Sequence, residues 1–497
     1  MRSMSSPIER FARRATDLAE RWVPDAFVFA LAATVIVAVA AWIVDPAARR
    51  APLAIVDAWG NGFWTLIPFT LQMAMIIIGG YVLASSPPVH RLIARLAAWP
   101  ASAKGAVVMV ALVAMLTSLL NWGFSLIFSA ILAREVARRV PSADYRALGA
   151  SSFLGLGTVW AQGLSSSAAL QMARASSMPP RLAQMVAGGI PLTATIFRWE
   201  SLVCVVIEIA VVAAVMWACA PPAGAGRSAA SFGVDLGDPT RARRAEASSA
   251  PTDRAGHAMR AGERRAEAGS APTDRARQGM RPGERLDHSP ILLVALVAFG
   301  FIYLARVVAS RAATVGDALN AIDFNTINLF FLMLGALLHW RPSCLMRAVR
   351  DATPATWGVL LQFPFYGGIF GIMTGLKLSD AVASLFVRAS TATLYPAMIV
   401  VYSAVLGIFV PSGGSKWVIE APYVLQAARV LSVPDGWMVV TYNLGEAIAN
   451  LLQPFWMLPV LALLGLRARD IMGYTYLVAL VLLPVVVLLV TIFRPLV

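Results

Sequence analysis

Long apolar runs alternate with short polar segments along most of the chain. The runs lie near residues 26–44, 65–86, 147–173, 192–219, 290–307, 324–340, 357–376, 437–464 and 472–493. A helix needs about 20 apolar residues to cross a bilayer core. These runs reach or approach that length and predict an all-α polytopic membrane protein. Two other apolar regions are interrupted. Residues 104–136 are cut by Asn121-Trp122-Gly123-Phe124-Ser125, and 394–428 by Pro411-Ser412-Gly413-Gly414-Ser415-Lys416. Each half has about 11–17 residues, short for a span. Irregular backbone at membrane depth is tolerated only inside protein or beside a water-filled cavity. Both regions are therefore expected to be re-entrant helical hairpins with polar tips.

Segment 221–289 breaks the pattern. It is rich in Ala, Arg, Gly, Ser and Pro, and carries a tandem copy. Arg243-Arg244-Ala245-Glu246-Ala247 recurs as Arg264-Arg265-Ala266-Glu267-Ala268. Such a composition buries too little surface to offset ordering entropy. It predicts a disordered cytoplasmic loop between membrane repeats at 1–220 and 290–497. Contact of its arginines with anionic headgroups is a second reading.

A larger repeat appears at a shift of about 290 residues. Gln72 falls on Gln362, Asn121–Ser125 on Pro411–Ser415, and Arg139 on Arg429. Identities in this register are near chance, so the order of elements carries the argument: span, interrupted hairpin, interrupted span. An odd number of crossings separates the copies, which makes the second an inverted structural repeat. Inverted repeats with broken helices meeting near the midplane are a recurring plan of secondary transporters.

Composition agrees. The 497 residues are 58% hydrophobic and 14% charged, against about 25% charged in ordinary soluble domains. Mean hydropathy is +0.70. This excludes a disordered chain, a collagen, a disulfide scaffold and most soluble enzymes. The net charge of +14 comes mainly from Arg. The arginines cluster in short segments between spans, the mark of positive-inside topology rather than nucleic-acid binding. That pattern puts the N-terminus in the cytoplasm and the C-terminus in the periplasm, with the hairpins returning to the side they enter. Reading 104–136 as two plain crossings would move the cluster from Arg134 to Arg146 outward. The apolar run after Arg2–Arg21 has no convincing cleavage site and is read as a retained first helix. Three cysteines and four scattered histidines form no disulfide framework or metal-ligand spacing. No GxSxG, Walker or dinucleotide fingerprint occurs, so neither an enzyme nor a primary pump is indicated.

Four polar constellations lie at expected membrane depth. The first tip offers Asn121, Gly123 and Ser125. The second offers Ser412, Gly413, Gly414 and Ser415. The first broken helix carries Gln162 and Ser165-Ser166-Ser167, and the second runs from Tyr442 to Pro454. Helix N-termini at such breaks attract carboxylates, and carbonyls at broken C-terminal ends can hold Na⁺. Substrate-binding candidates are thus Asn121, Gly123, Ser125, Ser165, Ser166, Ser412, Gly413, Gly414 and Ser415. Asn443, Glu446, Asn450 and Gln453 share one helix face. Glu446 inside a span is a functional candidate by default; the competing reading pairs it with Lys416 as a structural element. Gln162, Asn443, Glu446 and Asn450 are assigned to coupling or orientation. Lys416 either attracts an anionic substrate or snorkels at a water-facing end.

These residues carry a resemblance. Leu120-Asn121-Trp122-Gly123-Phe124, Leu132-Ala133-Arg134-Glu135-Val136, Gly163-Leu164-Ser165 and above all Val410-Pro411-Ser412-Gly413-Gly414-Ser415-Lys416-Trp417 resemble bacterial short-chain fatty acid uptake permeases of the AtoE type. The likeness covers nearly the whole chain except 221–289. It implies kinship with the ion-transporter superfamily of carboxylate carriers: an inverted-repeat fold, a homodimer, elevator-like movement and a bacterial inner-membrane location. It implies symport of a short-chain monocarboxylate with H⁺ or Na⁺, and no other cofactor. The family pattern has a third Gly and a Gln where Ser415 and Lys416 stand. That departure keeps a C4-dicarboxylate carrier as the alternative, with a channel or membrane scaffold as the reading from another class.

Overall fold

The structure is a computed structural model that describes residues 26–186, 188–236, 282–310 and 314–493. Among these residues there is no strand. The first half contains α1 (Ala26–Val44), α2 (Leu53–Phe63), α3 (Ile67–Ala84), α4 (Ala103–Leu120), α5 (Trp122–Arg139), α6 (Tyr145–Gly157), α7 (Ser167–Met172) and α8 (Trp199–Cys219). The second contains α9 (Pro290–Ala309), α10 (Phe324–His339), α11 (Trp357–Gly375), α12 (Tyr395–Phe409), α13 (Gly413–Val430), α14 (Asp435–Leu452), α15 (Leu458–Leu464) and α16 (Ala468–Ile492).

The all-helical, multi-span class is as expected. Among the described residues, α3, α4, α8, α9, α11 and α16 are long and apolar enough to cross a membrane. The pair Asp435–Leu452 and Phe455–Leu464, bent by 71°, is a seventh if taken as one span. Sequence reading missed α2 and three amphipathic helices, Pro87–Leu96, Pro342–Ala352 and Leu378–Ala389. Their charged faces break the apolar runs that mark spans.

The two halves share an order of elements and of packing. In each, a long helix is followed by an amphipathic helix, two helices joined at a break, a helix ending near a 3₁₀ turn, a short helix and a long one. Helix α4 packs on α6 and α8 as α12 packs on α14 and α16. Likewise α5 lies on α3 as α13 lies on α11. The halves also interlock, α2 on α11 and α10 on α3, around one continuous apolar core. Small residues allow the closest approach: a Cβ on Gly371 would lie 2.2 Å from Ala58 O.

Both interrupted regions fold back on themselves. Ser125 Oγ donates to Ala114 O at 2.7 Å. Tyr395 Oη, at the start of α12, donates to Val424 O late in α13 at 2.8 Å. The irregular part of each tip is shorter than the sequence suggested. Trp122–Ser125 is already helix, and only Asn121 breaks the chain. Gly413–Lys416 forms the first turn of α13, leaving Val410–Ser412 outside the helices. Helices α4 and α5 are therefore 18 residues each, not half-spans. The reason is capping: Asn121 Oδ1 accepts from Phe124 N at 2.9 Å, so the new helix starts immediately. The second broken helix is corrected too. Tyr442–Leu452 is unbroken helix, and the bend falls at Gln453-Pro454. Pro454 lacks an N–H, and Gln453 Oε1 takes up Phe455 N at 2.6 Å.

The expected loop at 221–289 is structured at both ends. Residues 229–232 form a 3₁₀ turn and Pro282–His288 a helix. Arg227 N donates to Asp144 Oδ2 at 3.0 Å, and Arg227 O accepts from Tyr145 N at 2.8 Å. These bonds dock the segment on α6. The tandem copy, the first 25 residues and the C-terminal end lie outside the described residues.

Candidate functional site

Four elements converge between the two tips. The N-terminal turns of α5 and α13 meet the irregular segment 158–166 and the end of α14. Asn121 and Ser412 both have extended backbone (φ −158° and −149°) and both cap the following helix. The irregular segment is held against α4, where Leu164 N donates to Leu119 O at 2.6 Å. Gly163 is required there, because a Cβ would lie 2.4 Å from Leu119 O. Ser165 Oγ accepts from Trp122 N at 3.0 Å, and Ser166 Oγ accepts from Asn443 Nδ2 at 3.1 Å. These two serines tie the first break to the first tip and to α14.

A small cavity lies at this junction. Its polar wall is Ser167, Ser412, Gly413, Gly414 and Asn450. Its apolar wall is Trp122, Trp160, Trp456 and Phe363 with Met73, Leu156 and Val359. Trp456 Nε1 is latched to Pro411 O at 2.9 Å. The indole N–H groups of Trp122 and Trp160 are buried without an acceptor. In an α-helix the first-turn N–H groups have no intrahelical partner, which leaves those of Gly413 and Gly414 as further donors at the cavity wall. The cavity volume is about 20 Å³, enough for about one water. Entry of a larger molecule requires the walls to move. Position 414 is tight: a Cβ would lie 2.0 Å from Phe69 Cζ, so the ring would have to shift.

The predicted residues divide by position. Ser412, Gly413, Gly414 and Asn450 line the cavity, with Ser167 beside them. Asn121, Gly123, Ser125, Ser165, Ser166 and Ser415 stand outside its walls. Ser125 is occupied within its hairpin, accepting from Thr117 Oγ1 at 3.1 Å as well as donating to Ala114 O. Gln162 faces away, donating through Nε2 to Glu208 Oε2 at 2.6 Å. Asn450 Nδ2 donates to Glu446 O at 3.2 Å and its Oδ1 accepts from Gln453 Nε2 at 3.0 Å.

Glu446 is paired. Its Oε2 lies 2.6 Å from Lys416 Nζ, and both side chains are at most 2% exposed. This matches the structural alternative for Glu446 and overturns the water-facing reading of Lys416, which is buried and not part of the cavity wall. Sequence reading passed over Glu208 and Glu420, both at most 1% exposed. Glu208 had a usable signal, an ionisable residue in mid-span. Glu420 is recognisable only once α13 is seen to be buried all round.

An all-helical, multi-span chain with helix breaks around a small buried cavity has the build of a membrane transporter. Its fold is similar to that of the YdaH transporter of Alcanivorax borkumensis, with a TM-score of 0.54 at 14% identity over 95% of this chain and 98% of that one. It is also similar to MtrF of Neisseria gonorrhoeae, from a class of antimetabolite efflux pumps, with a TM-score of 0.56 at 12% identity over 98% of both chains. The sequence is more specific: residues 7–251 and 259–493 match the short chain fatty acid transporter family, and the chain belongs to it. A relative from Escherichia coli (strain K12), named "Putative short-chain fatty acid transporter", is 34% identical over 94% of this chain and 96% of its own length. One of the same name from Haemophilus influenzae is 29% identical over 94% and 96%. The protein is a transporter, not an enzyme.

Proposed function

We propose that the protein is a secondary active symporter that imports a short-chain monocarboxylate, such as butyrate or acetoacetate, across the bacterial inner membrane. The cavity carries this reading. One wall is polar and contains helix N-terminal N–H groups, which suit one carboxylate. The other is aromatic and aliphatic, which suits a short alkyl tail. Among the described residues no Arg or Lys lines the cavity, which speaks for one carboxylate rather than two. Ser412, Gly413, Gly414, Ser167 and Asn450 are the substrate contacts in this reading.

The parallel order of the two halves supports inverted repeats, with α4–α5 and α12–α13 as re-entrant hairpins. The narrowness of the cavity supports elevator-like movement of the tips. The apolar, exposed faces of α8 and α9 suit lipid and the second copy of a homodimer. H⁺ or Na⁺ drives uptake, with Glu446 in the coupling machinery. Inward transport stands against the outward direction of the MtrF class.

The test is uptake of labelled butyrate into proteoliposomes under imposed pH or Na⁺ gradients, with excess succinate as competitor. Saturable accumulation untouched by succinate is expected. Succinate binding without butyrate accumulation would move the protein to the dicarboxylate class. Glu446→Gln is expected to abolish gradient-driven accumulation while sparing butyrate exchange; unchanged accumulation removes Glu446 from coupling.

A further inference from the structure

Behind the second tip, the ammonium of Lys416 sits among oxygens. Its Nζ lies 2.6 Å from Glu446 Oε2 and 3.5 Å from Glu420 Oε1. It donates to Ser403 O and to Ser403 Oγ, both at 2.8 Å. The ring of Tyr442 closes another side, its centroid 4.8 Å from Nζ. Three helices supply the cage: Ser403 from α12, Glu420 from α13 and Glu446 from α14. All four polar residues are at most 1% exposed. Gly407 on α12 makes room for the group, since a Cβ there would lie 3.0 Å from Glu446 Oε2 and 3.5 Å from Nζ. The other titratable groups around it are Tyr395, Tyr402 and Tyr423, the last two joined by a 2.9 Å hydrogen bond.

Two carboxylates, a carbonyl and a hydroxyl make the kind of all-oxygen donor set that hard cations select. Its centre is taken by an ammonium covalently tethered to the hairpin. The cage adjoins the cavity: Tyr442 Oη donates to the carbonyl of Gly413, a cavity-wall residue, at 2.5 Å. A charge held here is thus one residue away from the substrate contacts.

We propose that Lys416 is a built-in cation that fills this cage in place of a free Na⁺, so that the carrier works without Na⁺. The proposal rests on the symporter reading above and narrows its coupling ion. A merely structural ion pair would give no particular response to Na⁺ once the lysine is removed. A vacated cation cage would.

The test compares melting of the purified protein in NaCl and in choline chloride at equal ionic strength, and butyrate uptake in proteoliposomes with either salt. The wild type is expected to melt at one temperature in both and to accumulate butyrate without Na⁺. Lys416→Gln opens the cage. Its melting temperature is expected to rise by roughly 2–5 °C in NaCl relative to choline, as selective binding to the native state requires. The double variant Lys416→Gln/Glu420→Gln retains Glu446 and Ser403 with less unpaired charge, and is expected to respond in the same direction. Stabilisation of the wild type by Na⁺, or wild-type accumulation that needs a Na⁺ gradient, overturns the proposal. So does the absence of any gain from Na⁺ in both variants, whether they fold or not. If no gradient moves butyrate, the substrate reading fails, while the melting comparison still decides what Lys416 does.

Discussion

The two helix breaks solve one problem in opposite ways. At the first, Asn121 starts α5 with a side-chain cap, Ser125 closes the hairpin, and no charged side chain takes part. At the second, Ser412 caps α13 through a longer contact of 3.4 Å; neutral bonds from Tyr395 to Val424 and between Tyr402 and Tyr423 join the arms, and Lys416 adds a charged link to Ser403 on α12 and to Glu446 on α14. Packing differs in the same sense. Gly80 brings α3 against the backbone of the first tip, where a Cβ would lie 2.3 Å from Phe124 N. At the second tip, the three atoms nearest to a Cβ on Gly414 all belong to the side chain of Phe69. The first tip is fixed by backbone and neutral hydrogen bonds. The second carries a buried ion pair in addition to neutral hydrogen bonds, and it supplies more of the polar cavity lining. Similar helix breaks in one fold are thus held by different means, one by backbone packing and neutral bonds, the other with a buried ion pair added.

The largest effect expected from this contrast is on charge. Removing one partner of a buried ion pair costs about 3–5 kcal/mol, whereas losing an N-cap costs about 1 kcal/mol. Lys416→Met should therefore lower the melting temperature several times more than Asn121→Ala. Equal losses would erase the distinction between the tips. Packing comes next. Gly414→Ala should destabilise by about 1–3 kcal/mol through overpacking and be restored in melting experiments by adding Phe69→Leu. Gly80→Ala strikes backbone, so no single side-chain truncation should rescue it; a rescue would show the first tip to be as adaptable as the second. The smallest contrast concerns two serines. Ser125→Ala should cost about 1 kcal/mol for its hydrogen bonds. Ser415→Ala should be neutral or slightly stabilising in the same assay, because the Ser415 hydroxyl is buried without a partner. A larger loss at Ser415 would reveal a partner gained during movement.

Hydropathy made most spans legible, since apolar run length is a local property. Asn121 and Ser412 were legible as break points because short polar side chains and Gly or Pro disfavour continued helix there. What misled was the extent of each break. Glycines and polar residues after a cap look irregular in sequence, yet Trp122–Ser125 and Gly413–Lys416 are helix. A glycine in a helix costs about 1 kcal/mol relative to Ala, and the close approach of Phe69 makes Gly414 worth that cost. The amphipathic helices escaped notice because their charge interrupts the apolar runs.

Partner choice had no local signal at all. Gln162 meets Glu208 through a contact 46 positions along the chain, and Asn443 meets Ser166 across 277. The sequence by itself determined that the chain is an all-helical membrane protein, where its helices are interrupted, and which family it belongs to. Each of these follows from residue type and order along one strand of chain. Only the tertiary structure decided that Lys416 is enclosed rather than water-facing, that Gln162 turns away from the cavity, and that Ser412, Gly413 and Gly414 line one cavity with Trp122, Trp160 and Phe363. Those outcomes depend on which helix faces lie together in space. That is set by packing between distant segments, where an unpaired charge or donor must find its partner or remain a cost.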